Sequence, residues 1–200
     1  LKMVQLAGKD GAVVLNFTPH EALKILEAAT KQGLQDRVVT WGCSTPCNTN
    51  FVAEALGSKW NDKLGVNAEL NVTDFDGPDS ALYRDVLSKY GKKVAGGLGS
   101  FSQMGFVLGD IATDAMMGIK GDITVKSVNE AIKATKDYKT DILCKPWYYG
   151  DAPAHIPNNT DWTTTPKDGK MVVKEDCFPI SDADPDIKKI REIEAEQGIE

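Results

Sequence analysis

Residues 11–47, GAVVLNFTPHEALKILEAATKQGLQDRVVTWGCSTPC, decide the fold of this chain. Gly11 to Asn16 is a short apolar run, read as a buried strand. Thr18, Pro19 and Glu21 then stand as N-cap, first helical residue and capping-box acid. Ala22, Leu23, Leu26, Ala29 and Thr30 supply the inward face of that helix, and Gly33 ends it. Arg37 to Trp41 reads as a second strand, followed by the loop Gly42-Cys43-Ser44-Thr45-Pro46-Cys47.

Outward from this stretch the pattern repeats. A helix is expected from about Asn48 to Leu56, a third strand from Val66 to Val72, and a helix capped by Asp79 that carries Leu82, Tyr83, Val86, Leu87 and Tyr90. The β-α-β-α-β-α order implies an α/β class, a doubly wound parallel sheet with helices on both faces. The second half reads differently. Gly96-Gly97-Leu98-Gly99 lacks the G-x-G-x-x-G spacing of a dinucleotide loop and serves as a crossing. Ser100 opens a long helix through Phe101, Met104, Phe106, Val107, Leu108, Ile111, Ala112, Ala115 and Met116, apolar nearly all round. Thr124 caps a helix from Val125 to Thr135, and the aromatic run Pro146-Trp147-Tyr148-Tyr149-Gly150 leads into a loop over 151–159. Trp162–Thr165 and Met171–Val173 are strands joined around Lys167-Asp168-Gly169-Lys170, a hairpin signal. A terminal helix starts at Asp184-Pro185 with Ile187, Ile190 and Ile193 on one side.

Composition narrows the function classes. Hydrophobic residues at 42% and charged residues at 26% are those of a globular chain. No window reaches the roughly 18 consecutive apolar residues of a membrane helix. The net charge is −6, with signs interleaved, so the basic stripe of a nucleic-acid surface is missing. Four cysteines fall into two groups, Cys43 with Cys47 and Cys144 with Cys177, and neither His20 nor His155 stands at metal-ligand spacing to them. The even count without a C-x-x-C motif favours two structural disulfides and an oxidising, exported setting; four buried thiols in a cytosolic protein are the alternative. The chain opens in mid-element at Leu1-Lys2-Met3-Val4-Gln5, so an exported protein is expected to have its leader removed or encoded upstream.

In open parallel sheets, ligands bind beyond the carboxyl ends of the strands. That rule selects Asn16-Phe17-Thr18, which offers an amide, an aromatic face and a hydroxyl, and Gly42-Cys43-Ser44-Thr45, whose shape a Cys43–Cys47 bridge fixes before binding. The plain alternatives are a helix cap for Thr18 and a protected surface turn for the bridge. Catalytic signatures are lacking: there is no G-x-S-x-G, H-E-x-x-H, Walker or EF-hand pattern, and the chain is read as a non-enzyme without a cofactor. Asp182, Asp184 and Asp186 resemble a calcium loop only superficially, and acids at a helix start are favoured by its dipole, so no metal is expected. Asn16, Asn71 and Asn158 head glycosylation sequons, which matter only in a secreted eukaryotic protein.

The order of elements, then the glycine-rich crossing into Ser100-Phe101-Ser102-Gln103-Met104-Gly105-Phe106, resembles the carboxy-terminal half of type I periplasmic binding proteins. The branched-chain amino acid receptors of ABC importers are the nearest likeness, through Ala22–Ala29 with Gly33-Leu34, Val128-Asn129-Glu130-Ala131-Ile132 and Lys167-Asp168-Gly169-Lys170-Met171-Val172. The resemblance implies a clamshell of two α/β lobes that traps a small-molecule solute and delivers it to a membrane permease from an extracytoplasmic location. Residues 1–98 would form the second lobe, 99–140 helices of the otherwise missing first lobe, and 141–200 the hinge-crossing strands, hairpin and terminal helix. It also implies a missing amino-terminal lobe or second chain to cover the helix at Ser100.

By the same resemblance, Phe17 and Thr18 match ligand-touching residues after the first strand of this lobe, Cys43 and Ser44 match the loop that holds an acid for the ligand's ammonium, and Phe101 and Ser102 match a hinge-proximal helix start. No acid stands in Gly42–Pro46 here. An unpaired buried ammonium is costly, so an amide or a small aromatic or aliphatic carboxylate suits Asn16, Phe17, Ser44 and Thr45 better than a free amino acid. A ligand-sensing domain of a receptor or regulator is the alternative, and a doubly wound enzyme relying on His20 or Cys43 comes after it. A thiol titration of the denatured, unreduced protein separates the compartments: zero reactive thiols per chain are expected, and four would place the chain in a reducing one.

Overall fold

The computed structural model describes residues 1–91, 98–149, 160–179, 183 and 185–198. Gly96, Gly97, Gly150, the loop over 151–159 with His155, Asn158 and Asn159, and Asp182 and Asp184 lie outside the described residues. A short helix α1 (Lys2–Ala7) precedes strand β1 (Ala12–Leu15), helix α2 (Pro19–Lys31), strand β2 (Thr40–Cys43), helix α3 (Asn50–Leu56) and strand β3 (Leu64–Ala68). Helices α4 (Pro78–Tyr90), α5 (Ser100–Met117) and α6 (Val125–Lys133) follow, then the hairpin β4 (Thr160–Lys167) and β5 (Lys170–Pro179), and finally α7 (Ile187–Glu196).

The five strands lie in sequence order, β1-β2-β3-β4-β5. The first three are parallel, with Leu15 level with Cys43 and Cys43 level with Val66; β4 joins β3 antiparallel, and β5 joins β4. The α/β class holds, and the sheet is mixed because the hairpin adds to a parallel core. Its turn needs positive φ at both central positions, found at Asp168 (51°) and Gly169 (81°). Asn61 grips that turn, donating to Asp168 Oδ1 at 2.7 Å and accepting from the Asp168 amide at 3.0 Å.

Alternate strand residues Val13, Leu15, Trp41, Cys43, Leu64 and Val66 are buried on one face against Leu23, Leu26 and Ala29 of α2 and Val52, Ala53 and Leu56 of α3. The pattern led to helices on both faces, yet α2 and α3 share one. The reason is strand order: both crossovers step the same way, and right-handed connections then place both helices on the same side. Two tryptophans centre this core edge to face, ring centroids 5.4 Å apart. Their indole donors are satisfied: Trp60 gives to Thr30 Oγ1 at 2.7 Å and Trp41 to the Gln35 carbonyl at 3.2 Å.

A second core lies past the carboxyl ends of the parallel strands, where Leu70, Tyr83, Val107, Ile111 and Ile142 meet. β3 stops at Ala68, short of the expected Val72, because the chain there leaves the sheet and the Asn71 amide bonds the Ile142 carbonyl at 3.0 Å. The start of α4 also differs from expectation. The Asp141 carboxylate, not Asp79, receives the first-turn amides, from Asp79 at 2.7 Å and Ser80 at 3.0 Å, together with the Ser80 hydroxyl. Gly77 fits beneath it for steric reasons, since a Cβ there would sit 2.5 Å from the Asp141 carboxyl. Thr124 does cap α6, accepting from the Ser127 amide at 3.1 Å.

Both disulfides form, Cys43–Cys47 and Cys144–Cys177, with Cα atoms 6.1 and 5.6 Å apart. The second closes a loop of about 34 residues, worth roughly 3–4 kcal/mol in the chain-entropy account. Near it, Lys145 pairs with the buried Glu194 of α7 at 3.3 Å. Among the described residues no helix is long and apolar enough to cross a membrane. Asp141→Ala strips three donors of their acceptor and is expected to cost about 1–3 kcal/mol, read as a lowered urea midpoint; an unchanged midpoint would show that α4 starts without it.

Candidate functional site

The carboxyl ends of β1, β2 and β3 form one edge, and polar side chains link all three. Asn16 follows β1, and its Oδ1 accepts from the Ser44 hydroxyl at 3.0 Å. The Ser44 amide in turn donates to the Leu15 carbonyl at 3.3 Å, carrying the pairing of β1 and β2 one residue beyond the strands. Thr45 reaches the next strand: its hydroxyl donates to the Asn67 carbonyl at 3.2 Å and accepts from the Glu69 amide at 3.4 Å. The loop that holds Ser44 and Thr45 is a single 3-10 turn, Thr45–Cys47, closed by the Cys47 amide on the Ser44 carbonyl and by the Cys43–Cys47 bridge. Both sulfurs belong to buried residues, so Cys43 shapes the loop from beneath instead of presenting a group at its surface.

Two carboxylates complete the edge, and neither was visible from the loop sequence. Asp161, buried near the start of β4, accepts from Asn67 Nδ2 at 2.8 Å. Burial raises its carboxyl above the ordinary value, and the Asn67 hydrogen bond opposes that rise. Glu69, at the solvent rim, is raised too, first by partial burial of its carboxyl and then by the charge of Asp161. Asn67 occupies an outward position of β3, so strand alternation marks it; Asp161 stands 94 residues further along, and nothing local pairs the two. The Gly42–Pro46 loop indeed holds no acid, but the edge as a whole holds two.

The other expected residues fall in different places. Thr18 is committed to its helix, since its amide and hydroxyl both donate to Glu21 Oε2, at 3.3 and 2.9 Å. Phe17, part-exposed, stands between Asn16 and that cap. The His20 ring lies tilted by 41° against Phe51, with ring centroids 5.2 Å apart, a packing contact. Ser102 lies 2.7 Å from the buried Tyr83 hydroxyl and accepts from the Gly99 amide at 3.2 Å, which makes it a capping residue of α5. Phe101 beside it is largely exposed. α5 itself packs against the Thr45–Cys47 turn, which brings the second core up to the edge. Gly99 is needed at that junction, because a Cβ there would come within 2.9 Å of Thr49 Oγ1. Hollows elsewhere have other linings: about 270 Å³ between α1 and α2, and about 390 Å³ between Lys136–Pro146 and the end of α7.

No family model matches the sequence, and no curated protein does. Solved structures do match. A possible leucine/isoleucine/valine-binding protein from Rhodopirellula baltica SH 1 aligns at TM-score 0.66 and 20% identity, over 81% of this chain and 42% of that one. The fold matches about half of that chain, one lobe of its architecture. A branched-chain amino acid ABC transporter structure from Thermus thermophilus with bound valine aligns over 96% of this chain and 50% of that one, at TM-score 0.71 and 17% identity. A fatty acid ABC transporter substrate-binding protein from Thermomonospora curvata aligns at TM-score 0.67 and 19% identity, over 86% and 43%. The chain thus spans about half the length of the type I periplasmic binding proteins whose lobe architecture it matches.

A carboxyl whose folded value is raised favours folding below its unfolded value, and that contribution is lost as pH rises through the folded value. Asp161→Asn keeps an acceptor for Asn67 without the charge. Its melting temperature should therefore exceed the parent's by a few degrees at pH 7, with the difference closing toward pH 4. Equal melting curves at pH 7 would show that the buried Asp161 charge carries no folding cost.

Proposed function

We propose that this chain is the lobe-and-hinge portion of an extracytoplasmic solute-binding component of an ABC-type importer. It holds a small polar solute between two lobes, and no bond is made or broken. In this reading residues 1–98 are the solute-gripping lobe, 99–140 belong to the facing lobe, and 141–200 cross back through the hinge. The observation that carries it is the linked polar edge: Asn16, Ser44, Thr45, Asn67 and Asp161 stand in one row across four strands. An open α/β sheet presents its ligand groups at such an edge.

A row already hydrogen-bonded and closed by a disulfide loses little entropy on binding, so contacts with the solute convert to affinity with less opposition. Asn16 Nδ2 offers a donor to a carboxylate or amide oxygen and Ser44 Oγ an acceptor to an N–H, Phe17 an apolar face to the solute's body, and Phe101 approaches from the other lobe. Asp161 and Glu69 supply a counter-charge for an ammonium, which brings a branched-chain amino acid within the solute class beside amides and small aliphatic or aromatic carboxylates. Closure follows from contacts the solute makes only in the shut state. Two disulfides accord with an oxidising compartment, where a membrane permease would receive the solute.

A thermal-shift panel of branched-chain amino acids, their amides and aliphatic or aromatic carboxylates tests this. At about 100 times its Kd a bound solute adds ~2.7 kcal/mol to stability, a shift of several degrees. Ser44→Ala removes the hydroxyl that holds Asn16, so the responding compound should bind about tenfold more weakly, while the melting temperature in its absence falls by only about a degree or two, the cost of one exposed hydrogen bond. A panel without any shift, or equal affinity in Ser44→Ala, overturns the assignment.

A further inference from the structure

The two ends of the β4–β5 hairpin are held by different means. At the turn end the ladder is regular: Lys167 faces Lys170, Pro166 faces Met171, Thr165 faces Val172 and Thr164 faces Val173. Beyond Thr164 the pairing slips twice, so that Thr163 faces Glu175 and Asp161 faces Phe178. Three steps along β4, from Thr164 to Asp161, thus match five along β5, from Val173 to Phe178. Each slip is a bulge, which interrupts the ladder and re-aims the side chains beside it. Asp161, the buried carboxylate of the polar edge, stands past both.

A run of contacts fastens that interrupted end. Cys177 is bonded to Cys144, two residues past Ile142 of the second core. The Cys177 amide and the Trp162 indole both donate to Asp176 Oδ1, at 2.8 and 3.2 Å. Trp162 is buried and level with Ala68 of β3, and its neighbour Asp161 accepts from Asn67. The second core is thereby linked to the polar edge through Cys144, Cys177, Asp176 and Trp162. The two disulfides also differ in reach. Cys43 and Cys47 are enclosed in the core under α2 and α3. Cys144 is half-buried, and Cys177 lies exposed on the outermost strand. A thiolate opens a disulfide only where it can reach a sulfur.

We propose that Cys144–Cys177 is a thiol-sensitive clamp on the Asp161 end of the hairpin. A dithiol opens it ahead of Cys43–Cys47, and the start of β4 then loosens while the turn end and the parallel core stay folded. One thiolate of the dithiol attacks Cys177 Sγ, the bond to Cys144 breaks, and Cys144 leaves as a thiolate. The second thiolate of the reductant then displaces Cys177 from the mixed disulfide. The reductant ends as a disulfide, and its two protons pass to Cys144 and Cys177. The turn end keeps its own anchor, since Asn61 holds Asp168 whatever the state of the bridge. Opening the clamp frees one of the two carboxylates of the polar edge, so solute affinity falls under thiols. That consequence rests on the binding reading, and the clamp itself does not.

The test titrates dithiothreitol into the native chain, followed by alkylation and peptide mass mapping. Cys144 and Cys177 should be labelled at concentrations at least about tenfold below those that label Cys43 and Cys47. In that half-reduced chain, hydrogen exchange over 161–163 and 175–178 should quicken at least about tenfold, with 164–173 and the β1–β2 pair unchanged. Reoxidation should restore the parent rates. Cys144→Ser combined with Cys177→Ser should show the same exchange pattern without reductant, and the half-reduced parent decides where that variant does not fold. Labelling of all four cysteines together overturns the proposal. Exchange that stays at the parent rate, or that rises across the whole sheet, overturns it as well. None of these readouts needs a solute, so the clamp stands or falls apart from the binding reading.

Discussion

Asn48 is the joint on which the two cores depend. Its side chain is fully enclosed, and every polar atom of it is engaged across distant parts of the chain. Nδ2 donates to the Leu70 carbonyl at 2.8 Å and more weakly to that of Asn71, while Oδ1 accepts from Thr164 at 3.1 Å. One amide thus ties the loop after β2 to the point where the chain leaves β3 and to the middle of β4. An enclosed amide without partners costs on the order of 1–3 kcal/mol for each stranded group, so the three segments are held to one arrangement. The polar edge of the site, one residue row away, inherits that arrangement.

Around this joint the protein adds covalent closure to its hydrogen bonds. The Cys43–Cys47 bridge lies immediately before Asn48 and fixes the turn carrying Ser44 and Thr45, and Cys144–Cys177 fastens the segment after Ile142 to the outermost strand. Asp141 extends the same logic through hydrogen bonds, receiving the start of α4 from a residue next to Ile142 in the second core. The edge, the exit from β3 and the second core therefore share a small set of residues between Asn48 and Cys144.

The parts legible in the sequence are those governed by neighbours. Thr18-Pro19-x-Glu21 announces α2 because a capping box closes within one helical turn, and Asp168-Gly169 announces the hairpin because two positive φ angles in succession suit few residues. Ser100 marks a helix start because an apolar run follows a glycine-rich crossing, and Thr124 because it caps. The parts that were not legible depend on distance. The acceptor for α4 comes from 62 residues away, and the Asn67–Asp161 contact spans 94. β2 begins at Thr40 instead of Arg37, since its length is set by pairing with a four-residue β1 and not by its own run of β-branched residues. Which side of a sheet its helices take is likewise a property of strand order, and periodicity carries no record of it.

The clamped turn at Asp168-Gly169 belongs to strands that arrive late. β3 lies inside the finished sheet, but its neighbour on one side is encoded from Thr160 onward, more than ninety residues after Ala68. At ordinary synthesis rates, roughly 5–20 residues per second, a growing chain carries β3 as an unpaired border for some 5–20 seconds. Asn61 bridges that separation from the other end: it holds the turn through Asp168 and so ties both strands of the hairpin to the segment just before β3.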